Sequence, residues 1–98
     1  MRAKKEIAGY ELLVGSVVIQ AARDYRKALC KLHKKPDSEK WQIMQSEVEM
    51  FFKGEAIMMY TNIDGERLME RIKDEVIKYD YDLKALNKAH REAEEEWL

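Results

Sequence analysis

The run TNIDGE at residues 61–66 is the first candidate for chemistry, because it combines oxygen-bearing side chains with a glycine. An EF-hand calcium loop needs oxygen ligands at its first, third and fifth positions, glycine at the sixth and glutamate at the twelfth. With Gly65 in the sixth position, the first position falls on Tyr60 and the twelfth on Arg71. Neither residue supplies the required carboxylate, so the sequence excludes a calcium loop.

The same run is also a poor phosphate loop, because Asp64 and Glu66 would repel an anion. Acidic residues at this place complement the positive end of a helix dipole instead. The pattern therefore predicts a helix N-terminus that is capped by Thr61, Asn62 or Asp64. Ile63 would serve as the apolar residue that packs back onto the first turn.

Catalytic and metal-binding patterns are not apparent in the rest of the sequence. His33 and His90 are isolated, and no His or Cys pair has metal-ligand spacing. Glu70 and Asp74 lie one helical turn apart, but such pairs occur by chance in any acidic helix and do not indicate a metal site. Nucleophile-elbow, P-loop and dinucleotide patterns are missing, and Cys30 is expected to be a small buried side chain. We therefore expect no catalytic residue, metal or cofactor, and an enzyme is the least favoured class.

A basic edge on the first predicted helix is the most prominent surface feature. Arg23, Lys27 and Lys31 recur at four-residue steps, with Arg26 alongside and Tyr25 at the margin. These five residues are the predicted contact site for an anionic partner, such as a nucleotide or a nucleic acid. Two alternatives stay open: the edge pairs with an acidic helix of the same or another subunit, or it is simply solvated.

Composition and charge set the broad class. The 98 residues, with one Pro and four Gly, predict a single helical domain. Residues 1–35 carry nine Lys and Arg against three acids, whereas residues 36–98 carry nine against sixteen. No apolar run is long enough for a membrane span. A lone cysteine fits a reducing cytosol, so a cytoplasmic location is expected.

Two stop signals divide the chain into three predicted helices, at about residues 16–35, 38–53 and 64–97. Ser16 is a plausible N-cap, although residues 1–15 are either irregular or a helical extension. Pro36 stops the first helix, Asp37 or Ser38 caps the second, and Gly54 ends it. The short loop at Pro36 favours an antiparallel hairpin of the first two helices. The predicted fold is thus all-α, with this hairpin followed by a long C-terminal helix.

That last helix carries a heptad-like seam, because its apolar positions alternate in steps of three and four residues. The seam residues are Val76, Tyr79, Leu83, Leu86, His90 and Trp97. The pattern favours a homo-oligomer joined through residues 77–98, and a buried His90 would weaken that assembly below about pH 6. The alternative is a long helix packed on its own hairpin.

Three stretches together resemble a family of short helical proteins that are encoded by phages and prophages of Gram-positive bacteria. They are IQAARDYRKALCKLHKKPDS, EVEMFF and TNIDGERLMERIKDE, within about residues 18–76. The residues that match the family pattern are Ala22, Asp24, Tyr25, Arg26, Ala28, Leu29, Phe51, Phe52, Thr61, Ile63, Asp64, Gly65 and Glu66. The family has no settled activity.

The resemblance implies a phage accessory protein that binds a target stoichiometrically, most simply to interfere with a host defence system. The target would be a host protein, or a nucleotide signal that an oligomer sequesters in the host cytoplasm. A DNA-binding regulatory or structural phage protein is the alternative. Nucleic acid is the less favoured partner, because no helix-turn-helix is evident and the net charge is −1.

Overall fold

The computed structural model describes the backbone of residues 2–60, 62 and 64–96, and the side chains of residues 17–60, 62 and 64–91. Its elements are α1 (Arg2–Lys34), α2 (Glu39–Lys53), a 3₁₀ turn (Ala56–Met59), α3 (Gly65–Lys78) and α4 (Leu83–Glu96). No strand occurs among these residues, so the all-α prediction is confirmed. Within the same residues, no helix is long and apolar enough to cross a membrane.

The first helix begins earlier than its predicted N-cap at Ser16. It starts at Arg2 and runs through Gly9 and Gly15, so residues 2–15 are the helical extension rather than an irregular segment. Two glycines cost a helix about 1 kcal/mol each relative to alanine. The surrounding Ala, Leu, Glu and Lys residues are strong helix formers, and they offset that cost. Ser16 therefore lies inside the helix and does not cap it.

The predicted long C-terminal helix is wrong, because the structure divides it into α3 and α4. The amide of Tyr81 donates to the carbonyl of Val76 at 2.9 Å, and the amide of Asp80 donates to that of Ile77 at 2.9 Å. These are the two bonds of a Schellman motif, which terminates a helix. Asp80 and Tyr81 have φ of 54° and 57°, in the left-handed region that a continuing helix cannot use.

A second local signal restarts the chain as α4. The Asp82 carboxylate accepts from the amides of Lys84 at 3.0 Å and Ala85 at 3.2 Å, which satisfies two donors of the first turn. The His33 ring stacks on the Tyr81 ring at 3.8 Å between centroids, next to this turn. The turn is thereby attached to the C-terminal end of α1, and α4 runs back along α1.

The seam positions contribute mostly to the core of a single chain. Val76 and Leu86 are 1% and 0% exposed, and Tyr79 and Leu83 are half-buried against the same cluster. His90 pairs with Glu75 across α3 and α4. Trp97 lies outside the described residues. With α3 and α4 as separate helices, these residues cannot form one continuous straight seam for a partner.

One apolar cluster holds the helices together, with each of the four α-helices and the 3₁₀ turn contributing at least one buried side chain. Its buried members are Tyr25, Cys30, Val48, Phe52, Ile57, Met69, Ile72, Val76 and Leu86. The prediction that Cys30 is a buried apolar side chain is confirmed, since it is 2% exposed. Burial also raises the pKa of the Cys30 thiol, so its reactive thiolate is disfavoured.

Candidate functional site

The TNIDGE run is a helix start, as predicted. Asp64 is the N-cap of α3, and its carboxylate accepts a hydrogen bond from the amide of Glu66 at 3.1 Å. The amide of Leu68 donates to the Asp64 carbonyl at 3.0 Å, which closes the first turn. Asn62, another predicted cap, precedes the N-cap residue, and Thr61 and Ile63 lie outside the described residues. The Asp64 carboxylate, a candidate metal ligand in the sequence, thus caps the backbone of its own helix.

The glycine of this run has a packing role that the sequence did not reveal. A Cβ atom at Gly65 would lie 1.9 Å from the carbonyl oxygen of Phe52, which is far inside van der Waals contact. The first turn of α3 therefore rests directly on the last turn of α2. A cavity of about 420 Å³ opens beside this contact, and its charged lining includes Lys53, Asp64 and Glu66. This mixture of signs gives it no preference for an anion.

Tyr25 belongs to the core, so its predicted place beside the basic edge is wrong. Its side chain is 0% exposed, and its ring meets Phe52 edge to face with 5.9 Å between centroids. The hydroxyl donates to a Glu49 carboxylate oxygen at 2.9 Å, which joins α1 to α2. On α1, Val18, Ala22 and Leu29 recur at helical spacing with Tyr25 and pack against the same core cluster, which explains why the ring faces inward.

Because Tyr25 is buried and hydrogen-bonded to Glu49, the free energy of unfolding should decrease at alkaline pH. Burial, the hydrogen bond and the negative charge of Glu49 all raise the pKa of Tyr25 above its ordinary value of 10.0. Folding therefore favours the neutral phenol, and this stabilisation is complete below pH 10 and is lost as the pH rises further. Tyr25→Phe removes both the bond and the titrating group.

We expect Tyr25→Phe to lower the free energy of unfolding by about 1 kcal/mol at neutral pH. The difference between wild type and variant should shrink above about pH 10, as the unfolded wild-type chain loses its phenolic proton. Urea unfolding followed by circular dichroism from neutral pH to about pH 11 measures this difference. A difference that stays constant over that range would contradict the assigned hydrogen bond.

The basic edge divides into two parts that face different helices. Lys27 is exposed, with its ammonium 5.5 Å from the centroid of the Trp41 ring on α2. Lys31 is exposed one turn further along α1. Arg23 and Arg26 instead turn toward α4. The five predicted residues therefore do not make one contact surface, because Lys27 lies against Trp41 of α2, two arginines line a cleft with α4, and Tyr25 is in the core.

Arg23 and Arg26 line a cleft between α1 and α4 that sequence reasoning did not find. The cleft has a volume of about 290 Å³, and α4 contributes Asn87, His90 and Arg91 to it. Arg26 is only 7% exposed, whereas Arg23 and Arg91 are exposed. We call this group of three arginines with Asn87 and His90 the arginine cleft.

His90 connects the arginine cleft to α3. Its imidazole is paired with the Glu75 carboxylate, which fixes the ring between the two helices. A second cavity of about 590 Å³ shares Arg26 and His90 with the arginine cleft. Leu68, Ile72 and Tyr79 give it an apolar wall, and its charged lining has both signs (Arg71, Lys78, Asp74 and Glu75). A cationic cleft and a larger, partly apolar cavity are thus adjacent.

The chemistry of the arginine cleft suits recognition of an anion. A guanidinium group presents a planar fork of N–H donors that matches the oxygens of a phosphate or a carboxylate. The amide of Asn87 adds a neutral donor. The sequence offered one signal, the basic NKAHR segment at residues 87–91, but its distance along the chain from Arg23 concealed the pairing.

Other kinds of site find less support in the structure. Within the residues whose side chains are described, no group of three or more His, Cys, Asp or Glu side chains could hold a metal ion. Comparison of the chain with protein-family models, with curated proteins and with solved structures gave no significant match.

Proposed function

We propose that this chain is a non-catalytic binding protein that holds an anionic group of its partner in the arginine cleft. The observation that carries the proposal is the convergence of Arg23 and Arg26 from α1 with Arg91 from α4 on one cleft. Charged hydrogen bonds of this kind are about twice as strong as neutral ones. Such a protein acts by mass action, in proportion to its own concentration.

The size of the arginine cleft limits what it can hold. A volume of about 290 Å³ has room for a phosphate or carboxylate group together with the atoms next to it. The adjoining cavity of about 590 Å³ offers an apolar wall for a base or a side chain attached to that group. A small molecule or a protein segment with one anionic group next to an uncharged, partly apolar part would fit both compartments.

The resemblance to phage-encoded proteins adds a biological setting to this proposal. The partner would be a component of a host defence system, either a host protein or a nucleotide signal, in the cytoplasm of the host cell. The fold interpretation that goes with it is an antiparallel hairpin of α1 and α2, supported by the Tyr25–Glu49 hydrogen bond. A DNA-binding role is the alternative, and the exposed Lys27 and Lys31 on α1 would then carry it.

The proposed site can be tested with pyrophosphate, AMP and a short DNA duplex as probes in isothermal titration calorimetry. We expect the wild type to bind pyrophosphate or AMP, and Arg91→Gln to weaken that binding about tenfold or more, because a hydrogen bond to a charged group contributes about 1.5–3 kcal/mol. Arg67→Gln, at an exposed position on α3, is the matched control and should bind like the wild type.

Two results would contradict the proposed site. One is equal loss of affinity in Arg91→Gln and Arg67→Gln, which would indicate a diffuse charge effect. The other is binding of the duplex alone, with loss on changing Lys27 and Lys31 to Gln, which would favour the DNA-binding alternative. Unchanged circular dichroism spectra would show that each variant keeps its helices.

A further inference from the structure

An apolar groove between α1 and α2 lies away from the arginine cleft. Its volume is about 630 Å³, and Val17, Ala21, Met44 and Phe51 give it an apolar floor. Asp24 and Glu47 also line it and make one end acidic. Val17 is 40% exposed, so the apolar floor is open to solvent at the other end.

The groove opens where α1 extends past its neighbour. The 33 residues of α1 span about 50 Å, whereas the 15 residues of α2 span about 22 Å. Phe51 meets the groove beside Ala21, and α2 ends two residues later at Lys53. The helix α2 is therefore too short to accompany residues 2–16 of α1.

The sequence of that extending half continues the floor of the groove. Ile7, Tyr10, Val14, Val17 and Ala21 follow one another in steps of three, four, three and four residues. This is the heptad spacing by which one helix packs on another. The spacing begins at Ile7 in the sequence and reaches Val17 and Ala21, which line the open groove.

Charge indicates how a second helix would lie in the groove. Arg2, Lys4 and Lys5 form the basic start of α1, and the inner end of the groove carries Asp24 and Glu47. In an antiparallel pair of α1 helices that cross near residues 13 and 14, the basic start of each copy falls beside the acidic end of the other. A parallel pair would instead place the basic starts beside each other, where their like charges repel.

We propose that a second copy of this chain is the occupant of the groove, in a two-fold antiparallel dimer joined through α1. Residues 2–16 of each copy lie along Val17, Ala21 and Phe51 of the other. A two-fold interface of this kind uses the same patch on both subunits, which the heptad spacing and the charges satisfy. The interface differs from the C-terminal seam, whose residues Val76 and Leu86 are buried within one chain.

Sedimentation of the full-length protein from low to high micromolar concentration tests the dimer. We expect a dimer for the wild type and an increase of about tenfold or more in the dissociation constant for Val17→Glu, which puts a charge into an apolar interface. Ile77→Glu is the matched control, because Ile77 is 60% exposed on α3 and lies outside the groove. It should dimerise like the wild type.

A charge exchange tests the antiparallel direction. Glu47→Lys alone should weaken the dimer, and so should Lys4→Glu with Lys5→Glu. The three changes together should restore much of the affinity, because the lysine at position 47 of one subunit again faces opposite charges at positions 4 and 5 of the other. A wild type that stays monomeric at high micromolar concentration overturns the proposal, and so does dissociation by Ile77→Glu instead of Val17→Glu. Failure to restore the dimer overturns its antiparallel direction.

Discussion

Gly65→Ala should destabilise the protein strongly, although glycine to alanine in a helix ordinarily stabilises it by about 0.5–1 kcal/mol. The added Cβ atom would lie 1.9 Å from the Phe52 carbonyl oxygen and 2.8 Å from its carbonyl carbon. Both atoms belong to the backbone of α2, so they cannot rotate away as the end of a side chain could. The first turn of α3 must therefore move off the last turn of α2.

This displacement should cost about 3 kcal/mol, at the upper end of the usual range for overpacking, because Phe52 and Met69 would lose their fit as well. For a domain of this size the midpoint of thermal unfolding should fall by more than about 10 °C. Thermal and urea unfolding followed by circular dichroism measure both quantities.

The matched control for Gly65→Ala is Glu66→Ala, at the next position and with an exposed side chain. Its backbone amide still donates to Asp64, so we expect a change within about 1 kcal/mol. A Gly65→Ala protein that is as stable as the wild type would contradict the direct contact of α3 with α2.

Leu86→Ala should have the second large effect, because Leu86 anchors α4 in the core. Its side chain is 0% exposed, and truncation of a buried leucine to alanine costs about 2–5 kcal/mol. Since α4 carries Asn87, His90 and Arg91, weaker anchoring of this helix should also reduce anion binding at the arginine cleft. Urea unfolding and pyrophosphate titration of the same variant test the two effects.

Protein concentration separates the structural role of Leu86 from a role in assembly. If Leu86 acts within one chain, the loss of stability should be the same at every protein concentration. If it belonged to a C-terminal seam between subunits, the loss should depend on concentration, as subunit association does. Ile77→Ala is the control, because Ile77 is 60% exposed and its truncation should cost little.

Local signals in the sequence were sufficient to place several elements. Pro36 and Gly54 flank α2, which runs from Glu39 to Lys53, close to the predicted residues 38–53. Asp64 caps α3, as one of the three predicted caps. These features depend on interactions within a few residues of the chain, so the types and order of those residues are enough to predict them.

The break between α3 and α4 was harder to predict, because its residues fit two structures. The apolar steps from Val76 to Leu86 suit a continuous helix, and they suit equally two helices that bury the same residues. The αL residue of the Schellman motif is Asp80 and not the usual glycine. Asp82 before Leu83 was the available cap signal, and it has the same form as the Asp64 cap.

The sequence by itself determined that the chain is helical, where α2 lies and that a helix starts within the TNIDGE run. Only the tertiary structure joined Tyr25 to Phe52 and Glu49, placed Gly65 against Phe52 and brought Arg91 beside Arg23 and Arg26. The physical reason is distance along the chain. Helix ends arise from hydrogen bonds between near neighbours, whereas the core and the arginine cleft depend on how whole helices pack once apolar surface is buried.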